Sequence, residues 1–182
     1  MPQHIAFLRA INAGGHVVKM DALRPLFTHL GFANVRTFIA SGNVIFDSPA
    51  KAASLESRIQ KHLLTALGYE VDTFIRSLDE VRQVVDAVDS QFASQLANGA
   101  ANGSKVYVGF LRTLPPVANQ QKVIALSNGV DVMSFGEREL YWLCHKSMAE
   151  TTVTGPRLAK ALGGSTTTRN ITSLRKLVAS CV

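Results

Sequence analysis

The sequence predicts an α+β fold of two similar halves forming one compact protein, and three observations carry that expectation. Strand-length stretches of period two alternate with helix-length stretches of period 3.6, in the order β-α-β-β-α, and the order then begins again. Phe7-Leu8-Arg9 on the first strand recurs as Phe110-Leu111-Arg112 on the first strand of the second half, in the same phase. Gly42 and Gly136 punctuate the middle strand pair of each half, as hairpins require. The order β-α-β-β-α-β is the ferredoxin-like pattern, so two ferredoxin-like (β-α-β-β-α) halves are expected.

The elements follow in order. His4–Ile11 alternates as a strand, with Ile5, Phe7, Arg9 and Ile11 on one face. After a Gly-Gly loop, Asp21 is placed to cap a helix whose Leu23, Phe27 and Leu30 share a face and whose stop is Gly31. Strands over 35–40 and 44–47 flank Ser41-Gly42-Asn43, and a helix opening at Ser54 carries the stripe Leu55, Ile59, Leu63 and Leu67. A strand over 71–76 runs into the capping box Ser77-Leu78-Asp79-Glu80. Residues 90–104 hold no charge and read as a weak helical turn and a flexible connector. Strands over 105–112, 130–135 and 139–144 and helices over 116–127 and 156–162 then repeat the plan. Thr166–Asn170 enters a last basic helix over 172–180. The expected organisation is an N-terminal subdomain over 1–89, the connector over 90–104, and a second, incomplete subdomain over 105–182.

Composition narrows the class. Hydrophobic residues make up 47% of 182, enough for a sizeable core. The longest apolar stretches are of strand length, so no membrane span is expected, and the first residues carry no secretory pattern. Two cysteines, Cys144 and Cys181, fit a reducing cytoplasm better than a disulfide framework. The net charge of +6 is uneven: residues 1–91 carry nine Lys+Arg and nine Asp+Glu, residues 92–182 ten and four. Such a basic segment can meet phosphate, nucleic acid or an acidic partner, or simply form a solvated face.

The residues suited to ligand chemistry are few. Arg9 interrupts an apolar strand, and its guanidinium is either an anion clamp or a structural ion pair reaching water at the strand end. Asn12, Gly14, Gly15 and Lys19 form a loop whose amides could approach an anion, although its spacing fits neither the phosphate-loop nor the dinucleotide template. Ser41 and Asn43 add polar groups at the hairpin. Arg169 and Asn170 stand at a helix start, where anion binding and ordinary capping use the same residue types. The five histidines are scattered, so no metal is expected, and no cofactor pattern is present.

Several of these segments, in order, resemble a bacterial family catalogued as domain of unknown function 1697. The resemblance rests on Ala6–Gly15, on Val18-Lys19-Met20 with Leu23-Arg24, and on Leu30-Gly31-Phe32 with Asn34-Val35. It continues through Ser41-Gly42-Asn43-Val44 with Phe46, and through Thr167-Thr168-Arg169-Asn170 with Thr172 and Lys176-Leu177. The chain departs from the family pattern at Ala10, where glycine is usual, at Ala40, where glutamine is usual, and at Ile171, where tryptophan is usual. The resemblance implies an α+β fold with ferredoxin-like halves and no particular activity, substrate or cofactor.

The leading expectation is therefore binding of an anionic ligand, a nucleotide or nucleic acid, through Arg9, Asn12, Gly14, Gly15, Lys19, Ser41, Asn43, Arg169 and Asn170. One alternative is an enzyme acting on a small phosphorylated or carboxylated metabolite in a cleft where Arg9 and Arg169 converge. Another is a protein-interaction or oligomerisation module.

Overall fold

The computed structural model describes residues 1–39 and 42–181, with the side chains of 99–102 excepted. It is a mixed α+β structure with two four-stranded antiparallel sheets and seven helices among the described residues. The chain divides into two compact units, Met1–Val81 and Arg82–Val182, ahead of the boundary expected after residue 89.

The first unit runs β1 (Gln3–Leu8), α1 (Met20–His29), β2 (Ala33–Phe38), β3 (Asn43–Asp47), α2 (Ala52–Leu67) and β4 (Thr73–Ser77). Its sheet order is β2-β3-β1-β4 with every neighbour antiparallel. Alternation puts Ala6, Leu8, Val44, Phe46 and Ile75 on one face, where they pack with Leu23 and Phe27 of α1 and Leu55, Ile59 and Leu63 of α2. Phe46 stacks on Phe32 at 4.4 Å between ring centroids. The opposite face is buried too: Ile5, Phe7, Ile45, Phe74 and Arg76 are each fully inaccessible.

The second unit begins within α3 (Leu78–Gln91), which straddles the division, and includes α4 (Ala93–Asn102). It runs β5 (Lys105–Phe110), α5 (Val117–Ile124), β6 (Asp131–Phe135), β7 (Glu139–Cys144), α6 (Gly155–Leu162), β8 (Thr167–Asn170) and α7 (Ile171–Ala179). Its sheet order, β6-β7-β5-β8, reproduces the first. The likeness extends to single bonds. Leu8 N–H donates to Gly42 O at 2.9 Å, and Leu111 N–H donates to Arg138 O at 3.0 Å. Phe7 lies opposite Asn43 and Phe74, and Phe110 opposite Glu139 and Thr167. Phe7-Leu8-Arg9 and Phe110-Leu111-Arg112 thus occupy equivalent places.

Five local expectations are corrected. β1 ends at Leu8 rather than Ile11, because Ala10 turns the chain with φ of 55°. Helix α1 is capped at Lys19, without a side-chain bond, and not at Asp21; α2 opens at Ala52, not at Ser54. The stretch expected to be a flexible connector contains α4, which alanines such as Ala93 and Ala97 favour and which the bond from Leu96 N–H to Phe92 O at 2.9 Å starts. Thr167–Asn170, expected to enter the last helix, is strand β8 paired with β5, so the second unit has a complete set of four strands. Threonines are β-branched and accept an extended backbone, but four polar residues show no apolar alternation by which to recognise a strand. The capping box, by contrast, is present: Glu80 N–H donates to Ser77 Oγ at 3.2 Å, and Ser77 N–H to Glu80 Oε2 at 2.7 Å.

Candidate functional site

In the first unit most of the chosen residues gather at one end of the sheet. Leu8 pairs with Thr73 and Phe7 with Asn43, so the exit of β1 and the entries of β3 and β4 lie side by side. Three connections therefore meet there: the loop over 9–19, the β2–β3 hairpin, and the loop over 68–72 that leads from α2 to β4. Gly42 fixes one contact. Its φ is 73°, and a Cβ there would stand 2.9 Å from Ile11 Cγ2, so only glycine lets the hairpin close on the loop.

Arg9 leaves the end of β1 into solvent and pairs with Asp72 at 3.7 Å, with 44% and 33% of the two side chains exposed. Its N–H donates to Asp72 O at 2.8 Å, which extends the ladder by one bond. Exposed pairs of this kind contribute about 0–1 kcal/mol, so the guanidinium can exchange its partner at little cost. The loop beyond is shaped by its own polar groups. Asn12 Oδ1 accepts from Val18 N–H at 2.6 Å, and Ala13 and His16 N–H close successive turns on Ala10 O and Ala13 O. Gly14 and Gly15 have φ of 65° and 86° in open surroundings, so their backbone is bare to a ligand. Lys19, exposed, is the N-cap of α1.

Two residues that sequence reasoning passed over complete the arrangement. Tyr69 follows Gly68, the left-handed cap of α2, and its hydroxyl donates to Ile11 O at 2.9 Å. Desolvation pushes that hydroxyl above its usual range. The His16 ring stacks on Tyr69 with centroids 3.8 Å apart and planes 14° from parallel, while His16 itself is exposed. The only signal in the sequence was an aromatic residue directly after a helix-stopping glycine.

The remaining candidates are held differently. Ser41, like Ala40, lies outside the described residues. Asn43 is buried, and its Nδ2 donates to Phe38 O at 3.1 Å, closing the hairpin. In the second unit, Asn170 is the N-cap of α7 and accepts from Thr172 N–H at 2.8 Å. Arg169 is buried in β8, donating to Thr167 Oγ1 at 2.7 Å and Thr168 O at 2.9 Å; burial pulls its guanidinium down to about 10. Its counterpart in the first unit is Arg76, fully buried and donating to Ile75 O at 2.9 Å. Each arginine stands one residue before a helix cap and opposite an apolar residue of the central strand, Ile5 or Val108. Two buried arginines thus stand at equivalent positions of the two sheets.

Among the described residues no group of three or more His, Cys, Asp and Glu could hold a metal, and no helix is long and apolar enough to cross a membrane.

Fold and site together define a protein of two similar α+β units, with a glycine-bearing cationic loop at one sheet end. The chain belongs to the family described as Protein of unknown function (DUF1697), whose model matches residues 1–141. Among solved structures it is similar to one titled as the structure of conserved bacterial protein SP0830 from Streptococcus pneumoniae. That likeness has 21% identity and a TM-score of 0.72, covering 99% of this chain and 98% of the other. At that identity the likeness carries the fold alone. A search of curated proteins matched none. Neither description names an activity.

Proposed function

We propose that the chain binds an anionic ligand of the nucleotide or nucleic-acid class at the β1-exit end of its first unit. The observation that carries this is the His16 ring, exposed yet held flat against Tyr69, on the same short loop as Lys19 and directly after Arg9. An aromatic surface that is fixed before binding can stack a base without losing rotamer freedom, which is worth about 1–3 kcal/mol per base. Arg9 and Lys19 supply charge for phosphate, and the bare amides of Gly14 and Gly15 allow close approach. Ser41 remains part of the proposal from the sequence alone, as the residue before Gly42. Asn43 would act indirectly, because its side chain closes the hairpin, while Arg169 and Asn170, in the second unit, are engaged in strand and cap. The two units fit a ferredoxin-like pair derived by duplication, and two free cysteines fit a reducing, cytoplasmic setting.

The test is fluorescence anisotropy with labelled single-stranded RNA and DNA, and with nucleotides as competitors, at low and moderate salt. Binding at low salt that weakens roughly tenfold or more in His16→Ala supports the proposal. No binding of any of these at low salt ends it.

A further inference from the structure

The charges at the β1-exit end of the first unit come in opposed pairs. The loop over 9–19 carries Arg9 and Lys19, the loop over 68–72 carries Glu70 and Asp72, and the hairpin residues 39–42 carry none. The stack of His16 on Tyr69, with ring centroids 3.8 Å apart, joins the cationic loop to the acidic one. The Tyr69 hydroxyl, donating to Ile11 O at 2.9 Å, fastens them. Glu70 follows that ring directly and is exposed. Asp72 stands 3.7 Å from the Arg9 guanidinium with 33% of its side chain exposed. At the start of α1, Asp21 lies in the first turn and pairs with Arg24. An acid there offsets the positive end of the helix dipole. With His16 neutral, this end of the sheet offers an anion hydrogen-bond donors without an excess of positive charge.

We propose that the ligand of this site is a strand of nucleic acid met through a phosphodiester, and not a nucleotide with a terminal phosphate. The inference rests on the binding reading above and narrows it. Near neutral pH a phosphodiester carries one negative charge, whereas a terminal phosphate carries about two. Arg9 can give its fork of donors to phosphate oxygens while Asp72 remains beside it. The second charge of a terminal phosphate would then face Asp72 and Glu70, and salt screens such repulsion without removing it at contact distances. A base is uncharged and stacks on His16 whatever the acids do. The arrangement therefore favours a ligand with much aromatic surface and little charge for each base, which is the make-up of a single strand.

Both acids can be neutralised without disturbing the strand ladder. The bond that extends the ladder, from Arg9 N–H to Asp72 O at 2.8 Å, belongs to the backbone. Gln60 Nε2 donates to Asp72 Oδ1 at 3.4 Å, and asparagine keeps an oxygen for it. Asp72→Asn and Glu70→Gln thus remove charge and keep shape.

The test compares four ligands on the full chain by calorimetry, at low salt and neutral pH. They are adenosine, adenosine monophosphate, the methyl ester of that monophosphate, and the dinucleoside monophosphate of adenosine. The methyl ester keeps the single base and has less charge, so it separates the effect of charge from the number of bases. The ester is expected to bind roughly fivefold tighter than the monophosphate, and the dinucleoside at least as tightly as the ester. In Asp72→Asn and in Glu70→Gln the monophosphate should gain roughly threefold and the gap should narrow, while adenosine is unchanged. Amide spectra show whether each variant is folded, and either one alone suffices. Monophosphate binding as tight as that of its ester overturns the inference and leaves the stacking site standing. A gap that is unchanged in the folded variants overturns it too, because the acids would not be its cause. No binding of any of the four also overturns it, and the longer strands of the preceding experiment then decide the parent reading separately.

Discussion

Ala10 holds a φ of 55°, in the left-handed region where a Cβ crowds the following carbonyl, and it does so at the turn that ends β1. The cost is about 1 kcal/mol, set partly against the lower entropy of alanine in the unfolded chain. Ala10→Gly is therefore expected to stabilise the protein by roughly 0.5 kcal/mol, read as a higher urea midpoint at unchanged slope. A lower midpoint would show that the methyl makes compensating contacts. The cysteines differ at the same scale. Cys144 is fully buried, and desolvation raises its thiol above the ordinary value, so the thiolate is scarce at mildly alkaline pH; Cys181 is partly exposed. A thiol reagent at pH 8 should titrate one cysteine per native chain and the second only after denaturation. Two fast equivalents in the native protein would contradict the burial of Cys144.

At the scale of elements, short polar devices decide where helices and loops sit. The Ser77–Glu80 box satisfies two amides at the start of α3, and Ser77→Ala should cost about 1 kcal/mol in denaturant melts. A larger effect is expected at Asp131. This fully buried carboxylate accepts from Trp142 Nε1 at 2.8 Å, from Thr151 Oγ1 at 2.6 Å and from Asn128 Nδ2 at 3.3 Å. It ties β6 to β7 and to the loop over 145–154. Asp131→Ala strands an indole N–H and a hydroxyl, and should destabilise the fold by roughly 2–4 kcal/mol in the same melts. A change under half that range would mean that the orphaned donors find water. The capping box was visible in the sequence because its spacing is local. The Asp131 cluster was not, because its partners are up to 20 residues apart and meet only through strand pairing and a loop return.

For the whole molecule, charge sets the expected response to salt. If Arg9 and Lys19 neutralise two phosphates of a single strand, the logarithm of affinity should fall with the logarithm of salt at a slope of about −1.4, and each alanine variant should flatten it by about 0.7. A slope near zero in the unaltered chain would remove phosphate from the binding account. The excess basic charge lies in residues 92–182, however. A steeper slope that survives Arg9→Ala and Lys19→Ala would therefore locate non-specific contacts in the second unit.

What the sequence by itself determined is the class of fold, its two similar halves and the order of nearly all elements, because periodicity, helix stops and hairpin glycines are written in neighbouring residues. It also singled out Arg9 and the glycine loop, since a charge in an apolar strand is locally conspicuous. Only the tertiary structure decided which polar residues face solvent and which are framework. Arg9 and Arg169 are both arginines in or beside a strand, yet one leaves the sheet end and the other is enclosed with Arg76 as its equivalent. Tertiary pairing likewise set Tyr69 against Ile11 O and the His16 ring, although in sequence it merely follows a helix-stopping glycine. Burial and convergence depend on partners far along the chain, and no local pattern records them.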